Sequence, residues 1–274
     1  MSDVTISSIR PLSGHAEYLA CVALQRTAWG EDFTDTVAPG LLWVIQRIGG
    51  VASGAFTASN ELVGFVFGIT GFRHGRKVHW SDLLAVRPDL RGRGIGRALK
   101  LHQREFLLAA GVPVVQWTFD PLESRNAWLN FGLGITAFEY IRDAYGEGAS
   151  HLHWGLGTDR LVADWQIASE RVRARLAAGA GREPAVTAAP AINDVAPADG
   201  WPRSGEPRLD LEERLLRLRI PAAIQPLKAA DPSLAREWRA RTRTAFEHYL
   251  ASGWVVTDLV RESEAVSAYL LERA

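Results

Sequence analysis

Seven consecutive residues combine three arginines with three glycines and form the stretch of the sequence best suited to bind an anion. They form the Arg91–Arg97 turn and read Arg91-Gly92-Arg93-Gly94-Ile95-Gly96-Arg97. An apolar run, Trp80 to Val86, precedes the turn and ends at Arg87-Pro88, where proline cannot donate a strand hydrogen bond. Apolar residues at helical spacing follow, so the sequence predicts a strand, a turn and a helix. The unpaired N–H groups and positive dipole of a helix start attract phosphate, and arginines bind phosphate oxygens strongly.

Three phosphate-binding patterns can be compared with this turn. A Walker loop needs Gly-Lys-Ser or Gly-Lys-Thr, which is missing here. A dinucleotide-binding turn needs G-x-G-x-x-G and an acidic residue about 20 positions later. The glycines here fall as G-x-G-x-G, although Asp120 lies at a tolerable distance, so a dinucleotide-binding oxidoreductase stays open as a remote alternative. The third pattern, Arg91-x-x-Gly94-x-Gly96 after a strand that ends in Leu-Ala-Val, closely resembles the pyrophosphate loop of the GNAT acyltransferase superfamily.

Roughly residues 60 to 167 carry this resemblance. It implies a mixed central sheet flanked by helices, with acetyl-CoA as the co-substrate by default and direct transfer of the acyl group to an amine. It also implies that the Arg91–Arg97 turn binds the pyrophosphate and that the backbone of Leu84, Ala85 and Val86 aligns the pantetheine arm. Asn126, near the start of a short helix, matches an asparagine that contacts the cofactor. The run Trp117-Thr-Phe-Asp-Pro followed by Ser124-Arg-Asn-Ala is similar to one branch of predicted GNAT enzymes with largely unassigned acceptors.

The sequence departs from the family pattern at the position where the general acid is expected. Many GNAT enzymes place a tyrosine seven residues after that asparagine, but residue 133 is leucine. Tyr145, with Tyr140 in reserve, follows the short helix and is predicted to replace the missing acid; simple packing of these tyrosines is the competing interpretation. Leu133 also keeps a second function class open, namely an acyl-CoA-binding sensor or scaffold without turnover.

Two residues of the central strand are candidates for the general base. Asp82 alternates with Leu84 and Val86 and therefore shares their strand face. A solvated or ion-paired carboxylate is the competing interpretation. His79 has a convenient ordinary pKa, but a lone histidine in an apolar strand is more often structural.

The composition excludes several classes of protein. Lysine plus arginine and aspartate plus glutamate number 31 each, so no basic field favours nucleic acid. Cys21 is the only cysteine, which excludes disulfides within the chain and indicates a reducing compartment. His151 and His153 lack a carboxylate or cysteine at ligand spacing, so no metal is expected. Without a signal peptide or an apolar run of about 18 residues, we expect a cytoplasmic enzyme that does not contact a membrane.

The chain of 274 residues, 47% of them hydrophobic, is long enough for one large domain and a smaller partner. We predict a GNAT-like acyl-CoA-binding domain over 1–167, a helix with an Ala/Pro/Gly-rich connector over 168–208, and a smaller C-terminal α/β extension over 209–274. The extension reads as strand, helix, strand and strand, which cannot bury both faces alone. It should pack on the first domain or on a second subunit, so a homodimer is one arrangement it allows. The predicted acceptor is a small-molecule amine in preference to a protein.

Overall fold

The computed structural model describes residues 5–31, 33–146, 155–179, 188–198 and 200–273. These residues divide into two compact units. The first unit holds the described residues up to Trp117 together with Gln166–Ala168, and the second unit holds the others. Each unit contains a largely antiparallel sheet and helices that pack on it, so the predicted mixed α/β class is confirmed. The domain limits at 167 and 208 stay a prediction.

The first unit contains nine elements in chain order, of which the last strand continues two residues beyond Trp117. They are β1 (Ile6–Pro11), α1 (Gly14–Trp29), α2 (Pro39–Arg47), β2 (Val51–Thr57), β3 (Leu62–Arg73), β4 (Arg76–Val86), a 3-10 turn (Pro88–Leu90), α3 (Ile95–Ala109) and β5 (Val114–Phe119). The strands lie in the order β1-β2-β3-β4-β5. The β4–β5 pair is parallel and the other neighbours are antiparallel. The predicted succession of strand, glycine-rich turn and long helix is therefore confirmed.

Strand β3 shows how the first unit fills both faces of its sheet. Phe65 and Phe67 belong to a buried cluster with α1 and α2, which includes Cys21. Burial raises the pKa of the Cys21 thiol to about 12, so this thiol packs and does not react as a thiolate. Gly64, one residue before Phe65, faces α3: a Cβ there would lie 3.2 Å from Leu99 Cδ1. Alternate residues of β3 thus contact different helices.

Strand β4 contains an irregularity that its sequence pattern does not predict. Phe67 pairs with Leu83 and Ile69 pairs with Trp80, so Ser81 and Asp82 together face the single residue Gly68. This is a β-bulge. A Cβ on Gly68 would lie 2.3 Å from His79 Nε2 and 2.5 Å from the Trp80 carbonyl oxygen, so only glycine fits opposite the bulge.

The second unit contains the remaining elements. They are α4 (Ser124–Gly132), β6 (Thr136–Ile141), β7 (Arg160–Gln166), α5 (Glu170–Ala178), β8 (Val195–Ala198), β9 (Trp201–Ser204), β10 (Leu215–Pro221), α6 (Ile224–Ala230), α7 (Pro232–Ala251), β11 (Trp254–Arg261) and β12 (Val266–Arg273). Five strands lie in the order β7-β6-β11-β12-β10, all antiparallel to their neighbours, and β8 pairs with β9. The C-terminal strands therefore share a sheet with β6 and β7.

Local signals predicted the limits of several of these elements correctly. The Ser169 hydroxyl caps α5 by accepting from Val172 N at 3.3 Å, and Asp231 caps α7 by accepting from Leu234 N at 2.9 Å. Ser124 could be expected from its residue type to cap α4, but it is the first residue of that helix and its hydroxyl bonds to the Ser267 hydroxyl at 2.8 Å. The composition of 179–207 indicated a linker, yet β8 and β9 lie within it.

Candidate active site

The Arg91–Arg97 turn has the backbone of an anion site. Gly94 precedes α3 at φ 81°, in the left-handed region, and nothing lies within 4 Å of the position its Cβ would take. The backbone conformation, and not lack of space, therefore requires glycine there. Ala98 N donates to Gly94 O at 3.0 Å, so the amides of Ile95, Gly96 and Arg97 precede the helical ladder. Among the described residues, no side chain caps α3 and no acidic residue lies in its first turn.

The arginines of the turn differ in their surroundings. The Arg91 guanidinium donates to the Val86 carbonyl at 3.3 Å and to the Ala28 carbonyl at 3.4 Å, which ties the turn to the ends of β4 and α1. Arg93 lies close enough to Asp89 to help Arg87, the larger cause, lower the pKa of that carboxyl. Arg97 is half-buried in the first turn of α3. Arg91 therefore has a structural role here besides the predicted phosphate contact.

The backbone of Leu84–Val86 has one paired side. The register of β4 with β3 continues to Val86, which pairs with Gly64. The register with β5 covers only Val78, His79 and Trp80 within the described residues of the first unit. Leu84–Val86 therefore continue β4 beyond its ladder with β5, as a strand edge to which an extended amide chain can add.

Asp82 lies in the bulge, just before Leu84–Val86. Its side chain is exposed in part, but surrounding protein removes enough water to raise the pKa of the carboxyl, and the charge of Asp35 raises it further. A carboxylate with a raised pKa is a stronger base than an ordinary one. Asp82 therefore remains the candidate for the general base.

His79 is neutral and enclosed. The Thr70 hydroxyl donates to the Gly49 carbonyl at 2.8 Å, so it accepts the proton of His79 Nδ1 at 2.9 Å. Nε2 is then left to accept from the Gln103 amide at 3.0 Å. Burial, and after it the charge of Lys100, lowers the pKa of His79 to about 3. His79 is a structural residue of the bulge, and we do not assign it as the base.

Lys100 was missed by sequence reasoning. It is 5% exposed, donates to the Ser81 hydroxyl at 2.7 Å and lies 3.7 Å from the centre of the Trp117 ring. Burial lowers the pKa of the Lys100 ammonium to about 7. Its spacing from the buried residues Gln103 and Leu107, at i+3 and i+7, is the signal that could have found it.

The two tyrosines predicted as acids lie in the second unit and differ sharply. Tyr140 donates to Asp159 at 2.5 Å and stacks on Phe246 with 5.6 Å between ring centres. Burial, and then the bond to Asp159, raises the pKa of Tyr140, so its proton is held. Tyr145 is 47% exposed, and its hydroxyl bonds to the Thr118 hydroxyl at 2.7 Å. Tyr145 is therefore the better candidate.

Asn126 and Leu133 lie at opposite ends of α4. Asn126 is exposed in the first turn of the helix, and Leu133 follows its last residue. Leu133 is fully buried, and its carbonyl accepts from Trp165 Nε1 at 2.9 Å. Leu133 has a packing role, and its side chain offers no acid.

Buried ion pairs in the second unit were also missed. Arg239 of α7 donates to Asp120 at 2.6 Å, and Arg160 lies 3.9 Å from the same carboxylate. Arg243, one turn further along α7, binds both oxygens of Asp159 at 2.7 Å. Although burial opposes it, the bonds from Arg243 and Tyr140 lower the pKa of Asp159. These ion pairs join the C-terminal extension to the segments around β5 and β7.

A cavity of about 690 Å³ in the first unit lies away from all of these residues. It is lined by residues around the start of α1 and along α2, among them Tyr18, Trp43 and Gln46. Tyr18 donates to Gln46 at 2.7 Å, and Gln46 in turn donates to two backbone carbonyls. Its polar floor is satisfied by the protein itself, so we assign it no part in the reaction.

The structure thus brings part of the predicted site together. Asp82, Leu84–Val86 and the Arg91–Arg97 turn lie on one continuous strand–turn–helix segment of the first unit. Tyr140, Tyr145 and Asn126 lie in the second unit. In the described part of the chain, no group of three or more potential metal ligands occurs, and no helix is long and apolar enough to cross a bilayer.

A match to a known protein family covers this strand–turn–helix segment. Residues 22–131 match the model of the acetyltransferase (GNAT) family. Residues 22–131 therefore match a GNAT acetyltransferase domain, and the resemblance seen in the sequence is confirmed. No curated protein matches the sequence.

Solved structures similar to the chain include acetyltransferases with protein and small-molecule names. The ribosomal-protein-S18-alanine N-acetyltransferase from Escherichia coli is 18% identical, with 59% of this chain and 94% of that chain covered and a TM-score of 0.45. Naa20 from Chaetomium thermophilum, in complex with a bisubstrate analogue, is 16% identical, with 57% and 85% covered and a TM-score of 0.46. Nourseothricin acetyltransferase is 20% identical, with 43% and 65% covered and a TM-score of 0.37. At such values the likeness does not identify an acceptor.

Proposed function

We propose that the protein is an acyl-CoA-dependent N-acyltransferase that transfers an acetyl group directly from acetyl-CoA to the amine of a small molecule. The observation that carries this proposal is the start of α3. Its left-handed Gly94, the amides of Ile95, Gly96 and Arg97 ahead of the helical ladder, and the nearby arginines favour a pyrophosphate. The amide-rich pantetheine arm would then follow the strand edge at Leu84–Val86.

The reaction needs a neutral amine. With an ordinary pKa near 10.4, about one amine in 2,500 is neutral at pH 7, which costs roughly 4.6 kcal/mol. In our proposal Asp82 accepts the proton of the incoming ammonium, and its raised pKa makes it suited to that transfer. The amine nitrogen then attacks the thioester carbonyl, the C–S bond breaks, and CoA leaves as a thiolate, while the extra proton on the new amide nitrogen passes to solvent. Backbone N–H groups of β4 would stabilise the oxygen on which charge develops.

The leaving thiolate needs little help. Releasing a thiolate of pKa near 8.5 at pH 7 costs about 2 kcal/mol relative to the thiol. An ordinary phenol is a weaker acid than such a thiol, so proton donation by a tyrosine is uphill unless its surroundings assist. We therefore propose Tyr145, with its bond to Thr118, as an acid of modest effect.

The test uses the full-length chain and two glycines with equal backbone strain. Gly94 and Gly75 have φ of 81° and 75°, and neither has an atom within 4 Å of its Cβ position. Gly94→Ala should weaken CoA binding by at least about tenfold in calorimetry, because it distorts the turn and puts a methyl group near the phosphates. Gly75→Ala, in the β3–β4 hairpin, should lose similar stability and keep CoA affinity within about twofold. Equal affinities in the two variants would contradict the assignment of the turn.

Turnover separates the remaining alternatives. Free CoA released from acetyl-CoA is measured with small amines and, separately, with peptides that carry a free N-terminus. Amine-dependent release supports transfer to a small molecule, and release with peptides alone points to a protein acceptor. Binding of acetyl-CoA without any release would support the sensor or scaffold. Preference for NADH over CoA in calorimetry would support the dinucleotide-binding alternative.

A further inference from the structure

Lys100 is a buried cation without a counter-ion. Its ammonium group donates to Ser81 and lies over Trp117. Across the ranges that the structure describes, no carboxylate lies within ion-pair distance of Lys100. A hydroxyl and an aromatic face compensate only part of the cost of removing an ammonium from water. An apolar side chain such as methionine would fill the same space at lower cost, so stability alone does not explain the lysine.

The contacts of Lys100 meet at the irregularity of β4. Ser81 is the first residue of the bulge, and Asp82 is the second. Trp117 lies on β5, so one side chain of α3 contacts both strands. His79 lies two residues before Ser81. Its Nδ1 is bonded to Thr70 of β3, and its Nε2 is bonded to Gln103 of α3. Helix α3 therefore holds β4 through Lys100 and Gln103.

We propose that Lys100 is a positioning residue for acetyl transfer, whose ammonium group fixes the β4 bulge through Ser81 and so holds Asp82 and the Leu84–Val86 backbone in place. The proposal rests on the proposed function, since Asp82 and Leu84–Val86 take part in that reaction. Lys100 itself acts through Ser81 and does not contact the reacting atoms.

The protonation state of Lys100 decides the direction of its bond to Ser81. An ammonium group only donates, so the Ser81 oxygen accepts from it and the hydroxyl proton is left for another acceptor. A neutral amine can instead accept the Ser81 proton, which weakens the tie between α3 and the bulge. The charge of Lys100 therefore sets the strength of this tie.

The neighbours of Lys100 other than Asp82 do not change charge near neutral pH. His79 of β4 is neutral above about pH 3. Trp117 of β5 and Gln103 of α3 do not titrate, while the carboxyl of Asp82 follows Ser81 in the bulge. Because the pKa of Lys100 is near 7, its loss of a proton should give the rate a falling limb near neutral pH. Deprotonation of Asp82 and of the amine would give a rising limb.

The experiment uses the full-length protein and three variants. Lys100→Met removes the charge at nearly constant volume, Ser81→Ala removes the acceptor, and Lys77→Met is the control because Lys77 is exposed on the same strand. CoA release is followed with acetyl-CoA and hydroxylamine, a small nucleophile that needs no shaped acceptor pocket. We expect kcat to fall at least about tenfold in Lys100→Met and in Ser81→Ala, with CoA affinity within about threefold and Lys77→Met unchanged. The double variant should fall no further than either single one.

The pH profile separates positioning from simple packing. Wild-type kcat should show the falling limb near pH 7, and Lys100→Met should lack it. A Lys100→Met enzyme with kcat within about twofold of wild type and an unchanged pH profile would overturn the proposal.

Hydrogen exchange provides a readout that needs no turnover. In Lys100→Met, the amides of residues 82–86 should exchange at least about tenfold faster, while those of β2 keep their rates. Unchanged exchange at residues 82–86 would also overturn the proposal. If wild-type protein binds CoA and releases none from acetyl-CoA, the proposed function fails, and the exchange rates alone decide whether Lys100 holds the bulge.

Discussion

The two units of the protein bury charged side chains in opposite ways. In the second unit two buried carboxylates have arginine partners, Asp120 with Arg239 and Asp159 with Arg243. In the first unit the buried ammonium of Lys100 has a hydroxyl and an indole ring instead. Paired charges keep their charge over a wide pH range, whereas an unpaired ammonium is pushed toward neutrality.

This difference separates structural from functional polar groups. The arginines of the second unit come from α7, in the C-terminal extension, and their carboxylates come from segments more than 80 residues earlier in the chain. Their effect is to join distant segments. Lys100 and Ser81 instead lie on adjoining elements of the predicted cofactor segment, where a group that titrates near neutral pH can influence a reaction.

The largest expected effect comes from removing residues 209–274. The extension supplies Arg239 and Arg243, and its aromatic side chains Trp238, Phe246 and Tyr249 are fully buried. Without it, Asp120 and Asp159 lose their arginine partners on α7 and β6 loses β11. We expect a chain that is insoluble or melts at least about 10 °C lower by calorimetry. A truncated chain with unchanged melting temperature and solubility would show that the second unit does not depend on these pairs.

A smaller effect is expected from breaking one ion pair. Asp120→Asn leaves Arg239, whose Nη1 already lacks a partner among the described residues, as a buried unpaired charge. The free energy of unfolding in urea should fall by about 3–5 kcal/mol. Adding Arg239→Met to this variant should recover part of the loss, because both charges are then gone.

The matched control is an exposed pair in the same unit. Arg173 and Glu170 are bonded at 2.8 Å on α5, with 59% and 82% of their side chains exposed. Glu170→Gln should cost less than about 0.5 kcal/mol. Equal losses from Asp120→Asn and Glu170→Gln would remove the distinction between buried and exposed pairs.

Sequence reasoning succeeded where the signal is local and missed contacts between distant residues. The Arg91–Arg97 turn, the cap of α7 at Asp231 and the strands after Gly253 depend on glycine, proline and capping residues within a few positions. The bulge at Ser81–Asp82 depends on the register of β4 with β3, and alternation alone cannot reveal it.

The buried polar clusters around Asp120 and Lys100 were missed for the same reason, because their contacts join residues that are distant in the sequence. Arg239 and Asp120 are 119 positions apart, and either residue alone reads as a solvated surface charge. Lys100 was not singled out from the sequence, although helical spacing places it on the buried side of α3 with Gln103 and Leu107. Such pairs become visible only when the tertiary structure brings them together.

Lys100→Met should change stability in the opposite direction to Asp120→Asn. Burial lowers the pKa of Lys100 from its usual 10.5 to about 7. Between these values the unfolded chain keeps a proton that the folded chain has lost, so the stability of the wild-type protein rises with pH. Below pH 7 both states carry the proton, and the full cost of burying the ammonium is present. Replacing it with methionine should therefore add about 1–4 kcal/mol at pH 7, measured by urea unfolding.

The pH dependence of the unfolding free energy tests whether removal of the buried ammonium causes the higher stability of Lys100→Met. The lysine contributes a slope of up to about 1.4 kcal/mol per pH unit between pH 7 and 10, and Lys100→Met should lack this contribution. Lys77→Met, on the exposed surface of β4, should leave stability and slope unchanged. A destabilised Lys100→Met protein with the wild-type slope would mean that Lys100 is an ordinary packing residue.

The smallest expected effect on stability comes from a single hydroxyl, and it sharpens the contrast between buried and accessible polar groups. Tyr145→Phe removes a hydroxyl that is bonded to Thr118 on a half-exposed ring, so unfolding free energy should change by less than about 0.5 kcal/mol. Tyr140→Phe removes the donor to buried Asp159 and should cost about 1–3 kcal/mol. Catalysis should show the reverse order. Because a thiolate can leave at a cost of only about 2 kcal/mol, loss of the Tyr145 hydroxyl should lower kcat by about tenfold at most, with CoA affinity intact. The contrast requires kcat of Tyr140→Phe to stay near the wild-type value below its melting temperature; if Tyr140→Phe lost turnover while Tyr145→Phe kept it, the acid would have to be assigned to the buried tyrosine.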